Sequence, residues 1–254
     1  MYKVLKNIFY NYTILVSVIF VLAPVRGPNF LWSSQAIAQT DSSSVSTCIF
    51  NAAQASSNPD VLSAVAPACR GVKSSVESGS VSTCIINAAQ GYNNPDVLSV
   101  VAPVCRGVKS SAESSSVSTC IINAAQGASN PKALAAVAPA CSGVKSSVES
   151  SSVSTCIFNA AQGGSNPKAL AAVAPACSGV KSSVESSSVS ICIFNATQGS
   201  SNPDVLSAVA PACRGVKSSA ESSSVSTCII NAAQASSNPK VLSAVAPACG
   251  KEDV

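Results

Sequence analysis

From residue 45 the chain carries its apolar residues in short stripes. Val45, Cys48, Ile49, Ala52 and Ala53 stand at i, i+3, i+4, i+7 and i+8, the spacing that gathers them on one side of an α-helix. Gln54 closes the stripe. In later copies a glycine follows (Gly91, Gly127, Gly163, Gly199), the residue suited to a left-handed C-terminal cap. Asn58-Pro59 then signals a new start, because Asn accepts from the orphan amides of a helix and Pro suits its first turn. A second stripe follows, Leu62, Val65, Ala66 and Cys69 at i, i+3, i+4 and i+7, and Gly71 ends it. The pattern predicts helix A over about 40–54 and helix B over about 59–70, joined as a hairpin.

The same pattern returns every 36 residues. Six units result, at about 39–74, 75–110, 111–146, 147–182, 183–218 and 219–254. Each later helix A opens on a Ser-x-x-Glu capping box: Ser74 with Glu77, Ser110 with Glu113, Ser146 with Glu149, Ser182 with Glu185, Ser218 with Glu221. A hairpin this small cannot bury both faces alone, so the units are expected to stack into an all-α solenoid. Two features pull the other way. Pro67 and its equivalents fall inside helix B and predict a kink, or an α-helix ending near Val65 with a tighter turn after it. The Ser-rich start of helix A and the Thr-Cys-Ile-Ile run at 119–122 also suit a strand, so a β-rich repeat is the alternative fold.

The twelve cysteines fall on the same lattice: Cys48, Cys84, Cys120, Cys156, Cys192 and Cys228 in helix A, and Cys69, Cys105, Cys141, Cys177, Cys213 and Cys249 in helix B. Pairing within a unit uses all of them, whereas pairing across units (Cys69 with Cys84) strands Cys48 and Cys249. Along the helices Cys48 stands about 9 Å back from the A–B turn and Cys69 about 15 Å beyond it. A kink at Pro67 would absorb that offset. Across units, Cys84 lies about 14 Å from the turn where Cys69 sits. One disulfide per unit is therefore expected. The core of Ala, Val, Cys and single Leu and Ile residues is thin, and backbone ordering costs about 1–2 kcal/mol per residue. Closing a loop of roughly 20 residues returns on the order of 3 kcal/mol.

Such bonds require an oxidising compartment, and the first residues agree. Lys3 and Lys6 precede an apolar run from Thr13 to Val25, and Ala36-x-Ala38 follows. Basic start, apolar centre and small-x-small site predict a secretory signal over residues 1–38, cleaved after Ala38, with the repeats beginning at 39. The run is too short for a membrane span of about 20 residues. The expected location is secreted or periplasmic, with no stable span after cleavage.

Composition then narrows the function. The chain has no histidine, which removes the commonest general base and metal ligand. Charged residues make up 10% of the chain and the net charge is +4. Beyond residue 38, twelve bases face eleven acids, so there is no electrostatic footprint for nucleic acid. Cysteines spaced 21 and 15 apart do not match the close pairs of metal sites. No catalytic residues, metal site or cofactor are predicted. One recurring polar set remains: Asn51 and Gln54, Asn87 and Gln90, Asn123 and Gln126, Asn159 and Gln162, Asn195 and Gln198, Asn231 and Gln234. These are expected either to cap and turn the chain or to line one solenoid face as a ladder of amides. The leading expectation is a non-enzymatic scaffold that binds an unknown protein or surface ligand. The alternative is a membrane-active, toxin-like secreted protein. After Cys249 the chain reads Gly-Lys-Glu-Asp-Val254, a polar end expected to cap the last unit.

Overall fold

A computed structural model describes the backbone of residues 32–250, save residues 55, 91–93, 126–129 and 164–165, and the side chains from residue 42. The chain divides into two compact units, Met1–Ala38 and Gln39–Val254. Most of the signal-peptide stretch, residues 1–31, lies outside the described residues.

Helices are the regular secondary structure of the described residues, with no strand among them. The A helices are α1 (Trp32–Ala52), α3 (Ser75–Ala88), α5 (Ser111–Ala124), α7 (Ser147–Ala160), α9 (Ser183–Ala196) and α11 (Ser219–Ala232). The B helices are α2 (Pro59–Cys69), α4 (Pro95–Cys105), α6 (Pro131–Val137), α8 (Pro167–Cys177), α10 (Pro203–Val209) and α12 (Pro239–Cys249). The β-rich alternative is thereby overturned: residues 119–122 lie inside α5. From α3 on, each A helix packs on the next A helix, and each B helix on the next B helix. Two layers of parallel-stacked helices make an α-solenoid, with a hairpin as its repeat.

The caps are those the residue types favour. Asn58 Oδ1 accepts from the Asp60 amide at 2.9 Å, and Asn94, Asn130, Asn166, Asn202 and Asn238 do the same, each followed by Pro at the first helical position. Ser74 Oγ accepts from the Glu77 amide at 3.2 Å, while Glu77 Oε2 accepts from the Lys73 amide at 2.8 Å. Glu thus reaches one residue further back than the usual capping box, and the arrangement recurs at Glu113, Glu149, Glu185 and Glu221. Past helix B the chain turns at Gly71, with φ +86°, a conformation glycine adopts without a Cβ penalty.

Helix B tolerates its proline in two ways. In α2, α4, α8 and α12 it stays α-helical through Pro67, Pro103, Pro175 and Pro247. In units three and five it tightens into a 3₁₀ turn, Ala138–Cys141 and Ala210–Cys213. Pro67 and Ser63, whose carbonyl loses its partner, are both exposed, so water can serve the orphaned oxygen.

All six disulfides close within a unit: Cys48–Cys69, Cys84–Cys105, Cys120–Cys141, Cys156–Cys177, Cys192–Cys213 and Cys228–Cys249. The Cα–Cα distance is 5.7 Å in every one, with or without the 3₁₀ turn. A tightened proline turn is therefore not what brings the cysteines together.

Burial separates each unit into two faces. Ser44, Cys48, Ala52, Val61, Val65, Ala68 and their internal equivalents are buried, but the matching residues of unit six are open. This forward face meets the following unit. Ser78, Ser82, Ile85, Leu98 and Ala102 are buried, but Ser42, Ser46, Ile49, Leu62 and Ala66 of unit one are exposed or half-buried. This backward face meets the preceding unit. The serines let neighbouring A helices approach closely. Two of the three close on their own helix: Ser80 Oγ donates to the Val76 carbonyl at 2.8 Å and Ser82 Oγ to the Gly79 carbonyl at 3.1 Å. The third, Ser78, finds no protein partner, nor do Ser114, Ser150, Ser186 and Ser222.

The polar end expected to cap unit six, residues 251–254, lies outside the described residues. Cys228, Ser224, Ala232, Val241 and Ala248 are exposed.

Candidate functional site

The A helices bury their stripe and the serines that meet neighbouring units, and a polar ridge faces out. On α5 it runs Ser115, Thr119, Asn123, at i, i+4 and i+8, and all three are exposed. The same ridge is Ser43, Thr47, Asn51 on α1; Ser151, Thr155, Asn159 on α7; and Ser223, Thr227, Asn231 on α11, again all exposed. Two substitutions interrupt it, Gly79 beside Thr83 and Asn87, and Ile191 between Ser187 and Asn195. Since A helices stack on A helices from α3 on, hydroxyls and amides line up in columns across the units. Nothing on the ridge is charged.

Between α5 and α7 the ridge deepens into a groove of about 460 Å³. Ser115, Ser116, Thr119 and Asn123 line one side, and Lys145, Ser147, Ser150 and Ser151 the other. Ser150 is the buried serine whose hydroxyl has no protein partner. An open groove of hydroxyl and amide groups with one ammonium at its rim can exchange hydrogen bonds with a polar ligand.

The paired amides expected from the sequence part company here. Asn51, Asn87, Asn123, Asn159, Asn195 and Asn231 all lie exposed on the ridge. The glutamines sit at the A–B turn in the left-handed region: Gln54, Gln90, Gln162, Gln198 and Gln234 have φ between 51° and 56°. Gln126 lies outside the described residues. The left-handed cap expected of glycine is thus taken first by glutamine. Gly163 and Gly199 continue it with φ 67° and 72°, their amides donating to the carbonyls of Phe158 and Phe194 at 2.9 Å. Gln198 Nε2 also donates to the Ala235 carbonyl at 3.1 Å, tying unit five to the turn of unit six. The asparagines are surface groups, and the glutamines are turn residues.

The threonines escaped the sequence reading, which followed the apolar stripe and the amides. Their signal was present: a β-branched polar residue four places before each Asn, outside the stripe, in every unit but the fifth.

A second feature runs along the B–A turns. Lys73, Lys109, Lys145, Lys181 and Lys217 are exposed on successive turns. Three shallow pockets of about 220, 280 and 260 Å³ lie between neighbouring turns, each flanked by two of these lysines and one capping Glu. Each Glu already accepts a backbone amide, so it serves the helix start.

Among the described residues no helix is long and apolar enough to cross a membrane, and no three His, Cys, Asp or Glu side chains gather in a metal-binding group. Fold and disulfides define the class of the molecule, a disulfide-braced α-solenoid. No known protein family, curated protein or solved structure matches the chain.

Proposed function

We propose that the protein is exported and acts as a non-enzymatic scaffold, offering the Ser/Thr/Asn ridge of its A helices to a partner of neutral, hydrogen-bonding chemistry. The observation that carries this reading is the ridge itself: asparagine is exposed at the same position in all six units. A single active site needs no such array. A periodic face suits a partner that is itself extended or repetitive. Disulfides in every unit suit an oxidising compartment, and the basic-apolar-small pattern of residues 1–38 supports export by a signal peptide.

The test is capture by immobilised oxidised protein from the extracellular fraction of the host. A variant with Asn87, Asn123 and Asn159 changed to Lys serves as the control. Capture by the native chain and its loss in the variant is the expected result. Equal capture by both, or none by either, refutes the ridge as a binding face.

A second reading, a membrane-active secreted protein, has Phe50, Phe158 and Phe194 in its favour, 60%, 44% and 48% exposed on the A helices. Dye release from anionic vesicles separates the two, and no release removes this reading.

A further inference from the structure

Every internal junction of the solenoid joins a forward face to a backward face, and units six and one each leave one of these faces unburied. Unit six presents an unburied forward face: Ser224, Cys228, Ala232, Val241 and Ala248 are exposed and Val245 half-buried. Val241 is 36% exposed, while Val97, at the same place in unit two, is 2% exposed. Unit one presents an unburied backward face: Ser42 and Ser46 are exposed, and Val45, Ile49, Leu62 and Ala66 half-buried. Their equivalents Ser78, Val81, Ser82, Ile85, Leu98 and Ala102 are all buried. Units one and six keep the interior pattern rather than the polar outer face of a capping unit.

We infer that two copies of this chain join head to tail, the forward face of unit six seating on the backward face of unit one, and that repetition of this contact builds a filament. The occupant is set by continuity with an interface the chain already makes five times over: the same side-chain types pack in the same register at each internal junction. Among the described residues, neither end face carries a charged side chain. The flanking charges favour the same register. At the start of helix B the columns read Asp60, Asp96, Lys132, Lys168, Asp204 and Lys240, so seating unit six on unit one of another copy brings Lys240 beside Asp60. The contact is heterologous: it leaves a free face at each end and has no two-fold axis to close it. It does not depend on what the A-helix ridge binds.

The experiment is sedimentation equilibrium over a wide concentration range on protein with its six disulfides intact. The native chain is expected to gain mass with concentration in steps of one monomer. Val241→Glu blocks the forward face and Ser46→Glu the backward face. Both residues are exposed in the single chain, so an unchanged circular dichroism spectrum certifies folding. Each variant alone should stay monomeric. Mixed in equal amounts, they retain one free face of each kind and should form 1:1 dimers and nothing larger. Lys240→Asp should weaken association about threefold, the scale of an exposed ion pair, and adding Asp60→Lys should restore it. A chain that stays monomeric at every concentration overturns the inference. So does a dimer that Ser46→Glu leaves intact, which would mean a symmetric tail-to-tail contact.

Discussion

The partnerless serines give the sharpest energetic prediction. Ser114 is fully buried against unit two, and its Oγ has no protein partner. Burying an unpaired hydroxyl costs about 1–3 kcal/mol, and Ala in place of Ser inside a helix adds roughly 0.5 kcal/mol. The small void left by the oxygen returns some of this. Ser114→Ala should therefore stabilise the protein by about 1 kcal/mol. The neighbouring Ser116 is the control: it is buried to a similar degree, but its Oγ donates to the Ala112 carbonyl at 2.8 Å. Ser116→Ala loses that bond and gains propensity, so it should be neutral or destabilising by about 0.5 kcal/mol. The assay is the guanidinium midpoint of the oxidised protein, read by ellipticity. Since the site recurs, Ser78, Ser114, Ser150 and Ser186 changed together should shift the midpoint several times further. Destabilisation by Ser114→Ala would mean that the hydroxyl is paired, and would refute the reasoning.

Three further predictions rest on single residues. Ala235 has φ +57° where units four and five carry Gly163 and Gly199; relieving that strain, Ala235→Gly should stabilise unit six by about 1 kcal/mol, measured as a higher melting midpoint. Asn130→Ala removes the acceptor for the Lys132 amide and should cost about 1 kcal/mol, with faster amide exchange in the first turn of α6. Both cysteines of the first five disulfides are fully buried, whereas Cys228 is exposed. Limiting reductant followed by thiol labelling and peptide mapping should therefore mark Cys228 and Cys249 first.

The hairpin unit, its caps and its cysteine pairing were legible in the sequence because each depends on residue identity at a fixed spacing. Asn-Pro can only open a helix economically, and pairing within a unit is the scheme that uses every cysteine. The rest depends on neighbours. A single apolar stripe suggests one buried side, yet an internal unit is pressed from two, so Ser78, Ser80 and Ser82 are buried although their type favours the surface. The left-handed glutamines were illegible because glycine stands beside them and is the better candidate by propensity. Pro67 reads as a breaker, but Ser63, whose carbonyl it leaves unpaired, is exposed to water, so α2 continues to Cys69. Of the candidate site, the asparagines were visible and the threonines were not, since only the stacking of A helices turns an isolated Thr into a column.

The central claim is that an interior of short aliphatic side chains keeps its shape because each hairpin is closed by its own disulfide. With a sequence separation of 21 in every case, each bond is worth on the order of 3 kcal/mol through the unfolded chain. Far-ultraviolet circular dichroism during thermal melting, with and without full reduction, tests it directly. The account predicts that the reduced protein loses most of its helical signal and its cooperative transition. A reduced protein with the same helix content and the same melting midpoint would contradict it.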